Sequence, residues 1–202
     1  MTDQDNNLKQ QLKRALRIAS SQQLEQFTGK VGFKIDELHS RFQLGQVLSD
    51  QIILLVISGD DLRMTIKIHY KRSHVLSLAK YPFDFVNDDE LQLKIVDYMK
   101  ELCNQVCGRV CRIFAKRDIH LGMSIPLKLR GFYEVYSDYH DATSPLFKFG
   151  DFWQVSNTQG SFFFSSYIEI VNLNTLYGIT FDTDEDIDKN EQQDDSQGLE
   201  FL

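Results

Sequence analysis

Four residues of one predicted helix have types and spacing that could do chemistry together. Asp97, Glu101, Asn104 and Gly108 follow one another at intervals of three or four residues, so they form one stripe on an α-helix. A carboxylate can bind a cationic group, and the Asn104 amide can accept one hydrogen bond while it donates another. Glycine inside a helix costs up to about 1 kcal/mol relative to alanine. Gly108 therefore predicts that another group approaches this face closely.

The helix that positions the stripe is predicted from about residue 89 to residue 116. Asn87, Asp88 and Asp89 offer caps at its start. Apolar residues at three-and-four spacing predict one buried face. That face comprises Ile95, Met99, Leu102, Cys103, Val106, Val110 and Phe114. The polar stripe is therefore expected to point away from the core.

Other helices and several strands flank this helix. A first amphipathic helix is predicted over residues 8–28, where Gly29 supplies a stop, and a short helix over about 73–79. Strands are predicted around residues 31–35, 42–48, 52–57, 62–70, 146–155 and 161–171, and residues 119–129 alternate as one long strand. The alternation in 62–70 indicates a sheet with one solvated face.

Charge is concentrated at the C-terminal end. The chain of 202 residues carries 22 Lys and Arg against 29 Asp and Glu, for a net charge of -7. Residues 182–202 alone hold nine acidic side chains and one lysine, so residues 1–181 sum to about +1. We predict a domain over 1–181 and a disordered acidic tail over 182–202, which either solubilises the domain or docks a partner through its apolar tip. The near-neutral domain lacks the basic excess of a nucleic-acid binder.

The sequence gives little support for a membrane span, a disulfide or a metal site. The longest apolar run, residues 52–57, is far shorter than the roughly 20 residues of a membrane span, so no membrane partner and a cytoplasmic location are expected. Cys103, Cys107 and Cys111 recur every fourth residue and climb one helix face, so they neither face each other nor converge on an ion. We expect no metal site and no cofactor in this chain.

The polar stripe resembles the signature of the CheC, CheX and FliY chemotaxis phosphatases. In that family an Asp or Ser is followed after three residues by Glu, after two more by Asn, and roughly two dozen residues later by Pro. Asp97, Glu101 and Asn104 match by type and spacing, and Pro126 lies one position early. The order of elements over about residues 8–130 is similar too. The resemblance implies an α/β (α+β) fold of two layers, with long helices on an antiparallel-rich sheet and an internal pseudo-repeat.

The same resemblance implies an activity and a partner. The chain would be a phosphatase that hydrolyses the aspartyl phosphate of a CheY-like receiver domain in two-component or chemotaxis signalling. Asn104 would orient the attacking water and Glu101 would pair with the receiver's active-site lysine, while Mg²⁺ is expected in the receiver. Asp97 either extends the docking face or compensates the N-terminal half of the helix. Gly108 would let the receiver's loops approach the helix backbone.

Several alternatives remain open. The chain could instead be a non-catalytic binding or scaffold module of the flagellar-switch type, and Arg109, beside Gly108, could block or retune the approach of a receiver. Homodimers of CheX-like proteins pair through sheet edges, yet the segment 137–158 could cover such an edge here. Ser21, Glu25 and Thr28 form a candidate relic of the motif on the first helix, which would leave one working site.

Overall fold

The computed structural model describes residues 2–38, 51–84, 87–130 and 147–181. Over these residues a seven-stranded antiparallel sheet is packed against two long helices. The helices are α1 (Asp3–Thr28), α2 (Arg72–Leu78), α3 (Asp88–Ala115) and the short α4 (Leu173–Leu176). The strands are β1 (Lys34–Glu37), β2 (Gln51–Ser58), β3 (Leu62–Tyr70), β4 (Gly122–Met123), β5 (Leu127–Arg130), β6 (Phe147–Asn157) and β7 (Gly160–Ile170). The predicted two-layer α/β architecture is confirmed.

The sheet has an internal two-fold pattern. Its strands follow the order β1-β6-β7-β3-β2-β4, and β5 also pairs with β2. A helix followed by strands thus occurs twice, as α1-β1-β2-β3 and as α3-β4/β5-β6-β7. The third strands of the two halves, β3 and β7, pair at the centre, while β1 pairs with β6 and β5 with β2. This arrangement is the predicted pseudo-repeat.

Helix α1 begins at a capping box and ends at a glycine. The side chain of Thr2 accepts a hydrogen bond from the Asp5 backbone, and the Asp5 carboxylate accepts one from the Thr2 backbone. At the other end, Gly29 takes a left-handed conformation with φ of 66°. Towards the sheet, Trp153 Nε1 of β6 donates to Ser20 Oγ at 2.8 Å. The helix therefore extends further toward the N-terminus than predicted, and a buried polar contact fixes its position on the sheet.

Helix α3 carries the buried face that its spacing predicts. Asn87 is the N-cap and accepts from the Glu90 backbone at 2.9 Å. All seven predicted core residues of this helix are buried (Ile95, Met99, Leu102, Cys103, Val106, Val110 and Phe114). Because this face packs on the sheet and α1 packs beside it, the solvent-facing side of α3 is fixed in direction.

The predicted long strand after α3 is wrong. Residues 119–129 form two short strands, β4 and β5, separated at Ser124, Ile125 and Pro126. Proline has no backbone N–H to donate to the ladder. Before it, the Ser124 backbone N–H donates to the Val56 carbonyl at 2.8 Å, and the Ser124 hydroxyl accepts from the Val56 backbone at 3.0 Å. Ile119 is buried before the first of these strands begins.

Other boundaries also differ from the sequence expectations. The first strand begins at Lys34, so Val31, which is exposed, precedes it. The predicted strand at 42–48 lies outside the described residues, as does the tail at 182–202. The segment 137–158 does not cover a sheet edge over its described part, because β6 lies between β1 and β7.

The outer face of the sheet departs from simple alternation at one residue. His69 of β3 belongs to the face that carries Arg63, Thr65 and Lys67, yet it is buried. Its Nε2 lies 2.9 Å from Ser165 Oγ on β7. Burial, with a smaller contribution from Lys67, lowers the pKa of His69 to about 4, so this imidazole is neutral at pH 7.

The cysteines are free, and Cys103 and Cys107 are buried. Burial raises the pKa of the Cys107 thiol well above its ordinary value. In the described part of the chain no group of His, Cys, Asp or Glu is arranged to hold a metal ion. None of the helices described there is both long and apolar enough to cross a bilayer.

Candidate functional site

Part of the polar stripe of α3 lines an open cleft beside α1. Asp97 and Glu101 are exposed, whereas Asn104 and Gly108 are half-buried. The cleft has a volume of about 420 Å³ and is lined by Gln23, Gln26, Asn104, Gln105, Gly108 and Arg112. The structure thus places Asn104 and Gly108 at one surface, with Glu101 one turn before Asn104 on the same helix.

Glu101 is held by a short series of amide hydrogen bonds. Gln105 Nε2 donates to Glu101 Oε1 at 2.8 Å, and Gln105 Oε1 accepts from Gln23 Nε2 of α1 at 2.9 Å. Gln23 is only 3% exposed. Neither glutamine was predicted from the sequence, although Gln105 is adjacent to Asn104 and Gln23 lies in a glutamine-rich part of α1.

Gly108 is not required by the protein's own packing. A Cβ atom built at this position meets nothing within 4 Å. Gly108 also lies within α3, where alanine would be the better helix former. No internal contact explains the glycine, and the close approach of another molecule to this face stays a prediction.

Asp97 makes one weak contact. Its carboxylate lies 4.0 Å from Lys100 Nζ, and its side chain is 77% exposed. It lies more than two turns beyond the N-cap Asn87, and helix-dipole effects fall off within the first turn. Asp88, Asp89 and Glu90 already occupy that turn. The geometry therefore favours the docking interpretation of Asp97 over dipole compensation.

The cation beside the cleft is Arg112 and not Arg109. Arg109 is buried, and its Nη2 donates to Gln22 Oε1 of α1 at 2.9 Å. Arg112 is exposed and lines the cleft one turn after Gly108. The concern that Arg109 obstructs the docking face therefore does not apply, because its guanidinium is directed into the interface between the helices.

The candidate relic on α1 does not form a second outward site. Thr28 is buried, and its hydroxyl donates to the Leu24 carbonyl at 2.7 Å. Glu25 Oε1 accepts from the Phe33 backbone at 3.4 Å. Thr28 is also the last residue of α1, whereas Asn104 lies well inside α3. Glu25 and Thr28 therefore make hydrogen bonds to backbone groups at the C-terminal end of α1.

The cleft suits an approaching macromolecule better than an enclosed small substrate. It is a shallow surface with an acid near one end, an arginine at the other, and amides between them. Amides offer donors and acceptors but no strong nucleophile. Such a surface can orient a water molecule or hold an oxyanion brought by another molecule.

Comparison with solved structures identifies the architecture. The chain is similar to CheX in the CheX–CheY–BeF3–Mg²⁺ complex of Borrelia burgdorferi, with a TM-score of 0.59, 13% identity, and coverage of 78% of this chain and 96% of that one. It is similar to a CheC-like protein of Shewanella sp. PV-4, with a TM-score of 0.53, 14% identity, and coverage of 84% and 99%. It is also similar to a chain of the FliG–FliM complex of H. pylori, with a TM-score of 0.52, 6% identity, and coverage of 87% and 98%.

The fold is that of the CheX and CheC-like chemotaxis proteins. No protein-family model matches the sequence. No curated protein matches it either.

Proposed function

We propose that this chain is a phosphatase that hydrolyses the aspartyl phosphate of a phosphorylated CheY-like receiver domain in chemotaxis or related two-component signalling. The observation that carries the proposal is the placement of Asn104 and Glu101 on the outward side of α3, beside an open cleft. The similarity in fold to CheX, which has a solved complex with CheY, supports the choice of partner.

In this reaction a water molecule attacks the phosphorus atom and the bond to the receiver's aspartyl oxygen breaks. The products are inorganic phosphate and a free carboxylate, and the proton of the water passes to phosphate or solvent. Asn104 accepts a hydrogen bond from the water through its carbonyl oxygen and donates one to a phosphoryl oxygen, which aligns the attack. The half-exposed position of Asn104 leaves its amide within reach of another molecule.

Glu101 acts as an anchor in this proposal. A carboxylate used as a base beside an anionic phosphoryl group would suffer like-charge repulsion. Paired with the receiver's active-site lysine, it would instead fix the register of α3 on the receiver. Asp97 and Gly108 extend the contact on either side.

The partner supplies the remaining components. The Mg²⁺ that neutralises phosphoryl charge belongs to the receiver, and we propose that this chain contributes no cofactor of its own.

We further propose a cytoplasmic protein that needs neither nucleic acid nor membrane. A homodimer also remains a prediction, and three exposed apolar residues at the β4/β5 edge, Met123, Ile125 and Leu127, offer a surface for it.

The decisive experiment measures dephosphorylation of receivers. Receivers encoded by the source genome are loaded with beryllofluoride to find those that bind the chain, then phosphorylated and followed with and without it. We expect the wild-type chain to speed phosphate loss and Asn104→Ala to reduce that effect by about 10² or more, because one positioned catalytic hydrogen bond is worth about that much. Binding of the beryllofluoride-loaded receiver should be largely retained.

Asn6→Ala is the matched control, because Asn6 is an exposed carboxamide on α1, in its first turns. It should leave phosphate loss unchanged. An Asn104→Ala chain with full activity would reject the mechanism. Failure of every receiver to bind would overturn the proposal.

The second candidate is a non-catalytic binding or scaffold module. The similarity in fold to a chain of the FliG–FliM complex favours it. This candidate predicts that the wild-type chain binds a receiver or another scaffold protein tightly. It also predicts that a phosphorylated receiver loses phosphate at the same rate with and without the wild-type chain.

A further inference from the structure

A series of hydrogen bonds connects the buried interface between α1 and α3 to the exposed carboxylate of Glu101. It runs from Gln23 Nε2 to Gln105 Oε1 at 2.9 Å and from Gln105 Nε2 to Glu101 Oε1 at 2.8 Å. Gln23 is buried, Gln105 is half-buried and Glu101 is exposed. The series therefore leads from a buried side chain to an exposed one.

The chemistry of amides gives this series one direction. A primary amide has an oxygen that only accepts and a nitrogen that only donates, and an ionised carboxylate only accepts. Gln105 must present its nitrogen to Glu101, so its oxygen faces α1, where the Gln23 nitrogen is the donor. The reverse orientation would place the amide oxygen against a carboxylate and the two amide nitrogens against each other.

The series restricts a side chain that would otherwise move freely. An exposed glutamate samples several rotamers and loses that freedom when it binds. An isolated pair one turn apart on a helix surface is weak. Here Gln105 is fixed from its other side by a buried residue on a neighbouring helix, so it can hold Glu101 in one direction before any partner arrives.

We propose that Gln105 and Gln23 are positioning residues that pre-orient Glu101 for a cationic group of the docking partner. This inference rests on the proposed function, since the docking partner is the receiver. Gln105 and Gln23 touch neither water nor the phosphoryl group in this scheme. They act on the affinity for the partner and leave the chemical step to Asn104.

The test is a Gln105→Met variant, which keeps the length of the side chain and removes both hydrogen bonds. We expect the KM for the phosphorylated receiver to rise about three- to tenfold, as the net value of one ordinary hydrogen bond implies. The kcat should stay at the wild-type value, because Asn104 is unchanged. Gln10→Met is the matched control, since Gln10 is an exposed glutamine in the N-terminal half of α1.

A merely structural role for Gln105 gives a different result. Combined with Glu101→Ala, Gln105→Met should have no further effect on KM, because the group that it positions is gone. An equal rise in KM in that background would overturn the proposal, as would an unchanged KM in the single variant. Gln23→Met removes the buried half of the series and should raise KM in the same way, with its folding checked by thermal unfolding.

A second measurement does not depend on any activity. In the free protein, side-chain NMR couplings should report one dominant χ1 rotamer for Glu101, and Gln105→Met should average it. Averaging already present in the wild-type protein would contradict the positioning role even if the chain is an active phosphatase. A wild-type chain that neither binds nor dephosphorylates receivers, but holds Glu101 in one rotamer, would refute the proposed function and leave the series intact.

Discussion

Arg17 of α1 binds Asp151 of β6 through two parallel hydrogen bonds, from Nε to Oδ2 at 2.7 Å and from Nη2 to Oδ1 at 2.6 Å. The same Nη2 reaches Glu37 of β1 at 2.6 Å, and Lys13 Nζ lies 3.0 Å from Asp151. The side chain of Asp151 is 2% exposed. One buried carboxylate thus attaches α1 to the sheet, and α1 in turn carries Gln23 to the cleft.

Removal of this carboxylate should destabilise the fold strongly. We expect Asp151→Ala to lower the free energy of unfolding by about 3–5 kcal/mol, because it leaves two largely buried cations without their shared partner. Urea unfolding measures the change. Asp36→Asn, at an exposed position of β1, should change it by less than about 0.5 kcal/mol, and equal losses in the two variants would contradict this account.

Gly108→Ala should separate stability from docking. The added methyl group meets no atom within 4 Å, and alanine is favoured over glycine in a helix, so the free energy of unfolding should rise by up to about 1 kcal/mol. Binding of a beryllofluoride-loaded receiver should weaken at the same time if the partner's loops contact this backbone. Thermal unfolding and titration measure the two effects. A stabilised variant with unchanged affinity would remove Gly108 from the docking face.

Glu101→Gln tests the charge of the anchor with little change in its shape. Hydrogen bonds to charged groups are worth about 1.5–3 kcal/mol, so the Kd for a beryllofluoride-loaded receiver should rise by about 10- to 100-fold. Asp89→Asn, at an exposed acid in the first turn of α3, is the matched control and should bind normally. Asp97→Asn then distinguishes the two interpretations of that residue, since only a docking residue weakens binding when neutralised.

The buried His69 should make stability depend on pH. Its pKa is lowered from 6.5 to about 4 in the folded protein, first by burial and then by Lys67. Between these two values the unfolded chain binds a proton that the folded chain does not. The free energy of unfolding is therefore not reduced by His69 above about pH 6.5, and it decreases as the pH falls toward 4. Once the unfolded state carries the proton fully and the folded state does not, the free energy of unfolding is lower by about 3 kcal/mol.

A His69→Gln variant should lose most of this dependence, as measured by urea unfolding at a series of pH values. His120→Gln, at an exposed histidine, should keep the wild-type profile. If the free energy of unfolding depends on pH in the same way in the wild-type and His69→Gln chains, groups other than His69 cause the loss of stability in acid.

The sequence was sufficient to predict the three longer helices and the buried faces of α1 and α3, because their periodicity is local, whereas the four-residue α4 was not predicted. The buried face of α3 and the outward direction of Glu101 follow from three-and-four spacing alone. The strand after α3 was predicted wrongly because alternation continues through Pro126, although proline cannot join the ladder there. The burial of His69 against its own alternation was also hidden from the sequence, since it depends on Ser165 of a distant strand.

The surroundings of the candidate site could not be predicted in the same way. The contact of Gln23 with Gln105 joins residues 82 positions apart, and it depends on how α1 and α3 pack. The inward direction of Arg109 has the same origin, since its partner Gln22 is on α1. The roles of Asn104, Glu101, Asp97 and Gly108, and the boundary between domain and tail at residue 181, stay predictions.

The exchange of strands between the two halves has a consequence for biosynthesis. Within the described residues β1 has β6 as its only sheet neighbour, so an emerging N-terminal half lacks the strand that completes it. Ribosome-bound intermediates cannot close this sheet, and assembly must await nearly the whole polypeptide. Closure over such long sequence separations is slow, and separately expressed halves should recover the native state only by complementing each other.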